Sequence, residues 1–367
     1  MILTPDDLRF FRAALALGRR GLGVAAPNPA VGALVVKDGV IVGRGWTAPG
    51  GRPHAEPQAL AQAGAAARGA TLYVTLEPCA HHGKTPPCAD AVIASGVARV
   101  VAGLTDPDDR VAGEGFAKIR AAGIAVESDV LAEDCRRAHR GHILRVTQGR
   151  PMVTLKIAQT ADGYAAGGEH DRRLAITGLA ANNRTHVFRA LHDAIMVGIG
   201  TILGDDPLMT VRLPGVDRKL LRVVLDARLD LPLLSRLVHG ASDLPTLVLC
   251  GESAEPTRRA ALAELGVEVQ TCPLVGGRLD LRAALRILGA RGVTRVFSEG
   301  GPRIGAALIA QDLADEMILF TSPRPLGRPG VEALAPQARA KLKDEKAYRL
   351  VEQGLLGVDG FVHYESV

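Results

Sequence analysis

Apolar residues at Leu8, Phe11 and Leu15 are spaced by three and four, which places them on one face of a helix over residues 4–20. Thr4 fits its N-cap, Pro5 its first position, and Asp6 and Asp7 the positive end of its dipole; Arg19 and Arg20 suit the other end, and Gly21 a stop. The period then shortens. Apolar runs 33–36 and 40–46 flank a Lys37-Asp38-Gly39 turn and predict a hairpin. Strands at 71–76 and 99–104 alternate with helices at 56–63, 87–95 and 112–122, and strand 124–128 and a basic helix over 131–146 close the segment. Polar residues 147–151 break the pattern, which restarts with strand 152–158. After it come helix 180–191, strand 194–200, strands near 221–226 and 246–250, helix 255–265, strand 267–272, helix 281–290, strand 295–301, helix 302–312 and strand 316–320. YRLVEQ and FVHYES read as a closing hairpin. Both halves are α/β by this alternation, with domains expected at 1–147 and 151–367.

Composition narrows the class. The chain has 367 residues, enough for two domains of ordinary size, and 47% apolar with 23% charged residues is usual for a globular protein. Aromatics at 3% argue against stacking platforms for nucleic acid, and no Lys/Arg block suggests a nucleic-acid tail. The net charge of +5 mildly favours anionic partners such as phosphorylated small molecules. No apolar run approaches the roughly 18 residues of a membrane span. The start MILTPDDLRFFR lacks the apolar core of a signal peptide. Five cysteines make no disulfide framework, so a reduced compartment, the cytoplasm, is expected.

The densest chemistry lies in Pro53-His54-Ala55-Glu56, Glu77-Pro78-Cys79 and Cys88. One imidazole and two thiolates suit zinc, and three protein ligands leave a fourth tetrahedral position for water, whose pKa zinc lowers to roughly 7. Glu56, two residues after His54, can carry a proton from that water to a leaving amine without being a ligand. The pattern matches the zinc-deaminase signature except that eight residues, AHHGKTPP, separate the cysteines instead of two. A closed structural site with His81 or His82 as fourth ligand is the alternative, and it gives Glu56 and Pro78 no role. Both histidines otherwise read as substrate contacts or exposed loop residues. His139 and His142 sit on the basic helix and are expected to be solvated; Cys135, Cys250 and Cys272 read as structural.

The stretches APNPAVGALVV, GGRPHAEPQAL and TLEPCAHHGKTPPCADAVIASGVARVV resemble the bifunctional deaminase/reductases of riboflavin biosynthesis. So do ADG at 161–163, VGIGTILGDDPLMTVR at 197–212, SEGGPRIGAALI at 298–309 and ADEMILFTSPRPLG at 314–327. The resemblance covers nearly the whole chain. It implies an N-terminal cytidine-deaminase-like α/β/α layered domain and a C-terminal dihydrofolate-reductase-like α/β domain. The first hydrolytically deaminates a diaminohydroxy-phosphoribosylaminopyrimidine, and the second reduces its ribosyl chain to ribityl with NADPH. By resemblance His54, Cys79 and Cys88 hold Zn2+, Glu56 is the proton shuttle, and Asn28 contacts the pyrimidine. A small phosphorylated pyrimidine is thus the expected partner, with neither nucleic acid nor membrane, in a homo-oligomer.

In the second half, Gly300-Gly301-Pro302 between a strand and a helix would let backbone N–H groups approach a cofactor pyrophosphate, although a Gly-Gly pair alone is also an ordinary turn. No G-x-G-x-x-G opens the domain, so a Rossmann fold is not favoured. The resemblance extends the NADPH contacts to Ala158, Thr201, Asp205, Arg303, Ile304 and Gly305. It places substrate at Lys156, Arg189, Met209, Arg212 and Glu299, the cations serving the phosphate. Residues 172–175 read Arg-Arg-Leu-Ala where the family carries a Ser and a Trp, and Ala227 stands where it carries a Ser. Those contacts do not carry over, and Arg172 and Arg173 become candidate phosphate contacts. This departure leaves open a deaminase whose second domain is weak or non-catalytic. A nucleic-acid deaminase and a zinc-stabilised scaffold are the remaining alternatives.

Overall fold

The computed structural model describes residues 3–83, 85–168 and 174–367 and divides into two units, Met1–Pro151 with Gly292–Thr294, and Met152–Arg291 with Arg295–Val367.

In the first unit, helix α1 (Pro5–Gly18) starts at a capping box. Thr4 Oγ1 accepts the Asp7 N–H at 3.1 Å, and the Asp7 carboxylate accepts the Thr4 N–H at 2.9 Å. Phe11 and Leu15 are buried as their spacing predicts, and Arg19–Gly21 form a 3-10 turn past the helix end. Strands β1 (Gly32–Lys37) and β2 (Val40–Trp46) meet at Asp38-Gly39, with φ of 48° and 75°, the left-handed pair a two-residue hairpin turn needs. With β3 (Thr71–Val74), β4 (Arg99–Ala102) and β5 (Ala125–Glu127) they form a sheet ordered β2-β1-β3-β4-β5. β1 is antiparallel to both its neighbours, and β3, β4 and β5 are parallel.

Helices α2 (Ala55–Ala63), α3 (Cys88–Ser95) and α4 (Glu114–Ala121) pack side by side on one face. Helix α1 covers the other face, where α5 (Ala132–Gln148) joins it. Buried Asp7 ties the layers together by accepting from Tyr73 Oη at 2.6 Å and Arg99 Nη1 at 2.9 Å, while Arg99 also donates to Glu127. Helix α5 runs through Thr147 and Gln148, past the expected break at 147. The Thr147 hydroxyl bonds back to Ile143 O, and Gly149 at φ 69° ends the helix.

The second unit adds β6 (Met152–Gln159), β7 (Tyr164–Ala166), α6 (Leu179–Ala190), β8 (Ala194–Gly198), α7 (Ile199–Asp205), β9 (Leu221–Leu225) and α8 (Arg236–His239). Next are β10 (Thr246–Cys250), α9 (Pro256–Glu264), β11 (Glu268–Thr271), the pair β12 (Leu274–Val275) and β13 (Arg278–Leu279), and α10 (Leu281–Ala290). The chain ends with β14 (Arg295–Ser298), α11 (Pro302–Ala310), β15 (Glu316–Thr321), β16 (Val331–Glu332), α12 (Pro336–Leu342), β17 (Tyr348–Leu356) and β18 (Asp359–Ser366). Nine strands make one sheet, β11-β10-β9-β8-β14-β6-β15-β18-β17, parallel up to β15 and antiparallel in the closing hairpin. Val, Ile and Leu fill the parallel strands, as burial on both faces requires. Several expected strands are shorter than predicted; among them, 194–200 stops at Gly198 because α7 begins at Ile199, and 295–301 stops at Ser298.

Candidate active sites

The first site begins with a close approach. A Cβ on Gly43 or Gly45 of β2 would lie 2.0 Å from Ala59 O or Ala55 O, so only glycine lets α2 rest on the strand backbone. Gln58 fixes the helix start by donating to Trp46 O at 2.6 Å and His54 O at 2.8 Å. His54 is thereby the N-cap residue of α2, and Glu56 lies in its first turn, 3% exposed. Cys79 follows β3, and Cys88 opens α3, whose Cys88 N–H points at Cys79 Sγ at 3.3 Å. His54 Nδ1 lies 3.2 Å from Cys88 Sγ and 3.8 Å from Cys79 Sγ. The three ligand atoms fall within 4.8 Å of one another, and neither His81 nor His82 joins them among the described residues. The donor set fits zinc with one position left over.

Electrostatics follow the packing. The Cys88 thiol, His54 and the Cys88 N–H hold the Cys79 thiol well below the ordinary thiol range against the effect of burial. Burial pushes the Glu56 carboxyl up to about 7, opposed chiefly by the charge of His54. Asn28, expected at the pyrimidine, lines the cavity but spends its amide on Gly51 O at 2.9 Å and His54 Nε2 at 3.0 Å. It therefore orients the histidine that faces the sulfurs, as a second group commonly does for a metal-binding imidazole.

Two histidines depart from expectation. His139 and His142 are not solvated; they are 2% and 6% exposed. With Cys135 they occupy positions i, i+4 and i+7 of α5, the face turned to the sheet. His139 Nε2 contacts Thr75 Oγ1 at 3.1 Å, and His142 Nε2 lies 2.9 Å from Asp106 Oδ1. The sequence reading also passed over Glu77 as a fold element. Its carboxylate accepts the N–H groups of Asp106, Gly113 and Phe116 at 3.0–3.1 Å, which fixes the loop that walls the cavity beside Cys79.

The second unit has a cavity of about 480 Å³ at the C-terminal ends of its central strands. Lys156, Ala158, Thr201, Asp205 and Met209 line it. So do Arg189 and the run Glu299-Gly300-Gly301-Pro302. Gly301 caps α11, whose first turn leaves N–H groups without intrahelical acceptors. Thr201 and Asp205, one turn apart on α7, both face the cavity. Arg189 is already engaged: it pairs bidentately with Glu299 at 2.5 and 2.9 Å and donates to Thr210 O at 2.7 Å. Although burial alone would raise it, Arg189 and Lys156 hold the Glu299 carboxyl below its usual value.

Four expected residues stand off the cavity lining. Arg303 is exposed, Ile304 packs behind Gly198 and Gly300, Gly305 lies against Leu155 and Ile157, and Arg212 is exposed with its guanidinium on Thr210 Oγ1. Leu174 and Ala175 line the cavity where the family's Ser and Trp were absent; Arg172 and Arg173 lie outside the described residues.

Residues 4–104 match the cytidine and deoxycytidylate deaminase zinc-binding region, and residues 151–356 match the RibD C-terminal domain. Fold and site together define a bifunctional enzyme, a zinc-dependent deaminase joined to a reductase. The riboflavin biosynthesis protein RibD of Aquifex aeolicus is 38% identical over 88% of this chain and 88% of its own, and that of Escherichia coli is 36% identical over 92% and 96%. Acinetobacter baumannii RibD superposes with a TM-score of 0.86 at 32% identity over 99% of both chains. A diaminohydroxyphosphoribosylaminopyrimidine deaminase/5-amino-6-(5-phosphoribosylamino)uracil reductase from Thermotoga maritima does so with a TM-score of 0.82, at 34% identity and 98% coverage of both chains. The chain belongs to the RibD family of riboflavin biosynthesis enzymes. Its cofactors are zinc and NADPH. No helix among the described residues is long and apolar enough to cross a membrane.

Proposed function

We propose that the first unit hydrolyses an amine from a diaminohydroxy-phosphoribosylaminopyrimidine and that the second reduces the ribosyl chain of the product to ribityl. The observation that carries the reading is the open His54–Cys79–Cys88 cluster with buried Glu56 beside it, in a chain whose relative bears both activities in its name. His54 Nδ1 and the two sulfurs hold zinc, which when bound acts as a Lewis acid and makes a water acidic near neutral pH. Asn28 keeps the His54 ring turned toward the sulfurs. Glu56 takes a proton from the attacking water and delivers it to the departing nitrogen. The water oxygen becomes a ring carbonyl oxygen, and ammonia leaves.

In the second unit NADPH, when bound, supplies the hydride. The Gly300-Gly301 approach and the α11 N-terminus receive its pyrophosphate, with Ala158, Thr201 and Asp205 along the same wall and Arg303, Ile304 and Gly305 continuing the helix. Lys156, Met209 and the Arg189–Glu299 pair bind the substrate, and Arg212, exposed and off the lining, is the candidate contact for its phosphate. Five free cysteines, two of them at the zinc cluster, support action in the cytoplasm.

The test is a coupled assay on the phosphorylated diaminopyrimidine that scores ammonia and NADPH separately. Ammonia release without NADPH, followed by stoichiometric NADPH loss, is expected. Absence of ammonia overturns the first assignment, and ammonia without NADPH loss overturns the second.

A further inference from the structure

Residues 206–212 bring Met209 to the cavity of the second unit yet belong to neither helix nor strand. Their backbone N–H groups have no ladder to join and need other acceptors. Met209 is 2% exposed and sits at φ 51°, in the left-handed region that a residue with a side chain keeps only where its surroundings fix it. Two side chains of α6 fasten this segment. His186 and Arg189 are three apart and so are neighbours on the helix surface. Arg189 Nη1 donates to Thr210 O at 2.7 Å, and the Arg212 N–H donates to His186 Nδ1 at 3.2 Å. Because Arg189 also grips Glu299, the segment that His186 holds is the one on which the Arg189–Glu299 pair leans. Nδ1 accepts a hydrogen bond only while it carries no proton. The ring is 8% exposed. Burial, with the charges of Arg189 and Arg212 adding to it, holds its pKa below the ordinary histidine value against Glu299 and the Thr210 backbone. The ring is therefore neutral at pH 7, as the contact requires. His186 is not among the side chains that line the cavity.

We infer that His186 is a positioning residue of the second unit: by accepting the Arg212 N–H it holds residues 209–212, and Met209 with them, at the substrate side of the cavity. This rests on the reductase reading proposed above. His186 acts through the segment it holds, so its effect falls on substrate binding and not on hydride transfer.

NADPH oxidation on deaminated substrate is measured for the native enzyme, His186→Leu and His186→Asn. Leucine removes the acceptor and leaves the Arg212 N–H unsatisfied, whereas asparagine offers its Oδ1 near the place of Nδ1. His186→Leu should raise KM for deaminated substrate by about 10-fold and keep kcat within about 2-fold. His186→Asn should return KM to within about 3-fold of the native value. Hydrogen exchange, read without substrate or cofactor, should show the backbone of residues 207–213 opening faster in His186→Leu and native-like in His186→Asn. If the leucine variant fails to fold, His186→Gln, whose amide oxygen lies one bond further out, takes its place in the same comparison. Unchanged KM and exchange on removal of the acceptor, a loss confined to kcat, or an asparagine variant no better than leucine overturns the assignment while the reductase reading stands. A native enzyme that oxidises no NADPH with this substrate overturns the reductase reading itself, and the assignment falls with it.

Discussion

Replacing Glu56 by glutamine keeps its shape and removes its capacity to carry a proton. Ammonia release should fall by about 10²–10⁴-fold with zinc content, measured by emission spectrometry, unchanged. A scaffold role would leave activity where it was. His192 offers a test at the opposite end of the chemistry. It is 1% exposed, and burial, with the charge of Arg295 adding to it, holds its pKa at about 3. The unfolded value near 6.5 is higher, so the unfolded chain binds the extra proton between those limits. The stability that the neutral ring contributes is present above pH 6.5 and is lost as pH falls toward 3. Between pH 7 and 5 the loss should be about 2 kcal/mol in urea unfolding. His192→Gln should flatten that slope. A slope unchanged by the substitution would mean that other groups set it.

Among the elements, the ones closest to local chemistry were legible in the sequence. The Thr4 cap, the Asp38-Gly39 hairpin and α10 all follow from near neighbours along the chain. The grouping of His54, Cys79 and Cys88 was legible because the residue types are rare and their spacing specific. The misreading of His139 and His142 has a physical cause: they hold core positions of an amphipathic helix but are polar, and their partners Thr75 and Asp106 lie far away in sequence, in the segments that follow β3 and β4. The start of α7 was hidden by Ile199, a β-branched residue that extends the apolar sequence of β8 past Gly198. The wall contributed by Ala165 and Ala333 depends on pairing of β7 with β16, more than 160 residues apart, which no local pattern reports. Gly45 is the element-scale test. Gly45→Ala puts a methyl against Ala55 O and should displace the start of α2. An overpacking cost of about 1–3 kcal/mol is expected in thermal unfolding. Ammonia release and zinc retention should drop while NADPH oxidation on deaminated substrate holds. Full deaminase activity in this variant would show that the close approach is dispensable.

At the scale of the molecule, each unit has its own sheet and its own cavity. A chelator should therefore abolish ammonia release while leaving NADPH oxidation on deaminated substrate intact, and added zinc should restore the first. Loss of both activities would show that the second unit depends on the metal. One earlier feature reaches past catalysis. The two cysteines proposed as metal ligands stand at either end of the eight-residue AHHGKTPP segment, so zinc bound there would act as a clasp at its foot. Closing such a loop depends only weakly on its length: doubling it costs roughly 0.6 kcal/mol. The clasp thus frees the segment to vary in sequence and length while the metal centre stays put. That makes it the natural place to graft new substrate preferences, by selection or by design, onto an unchanged hydrolytic core.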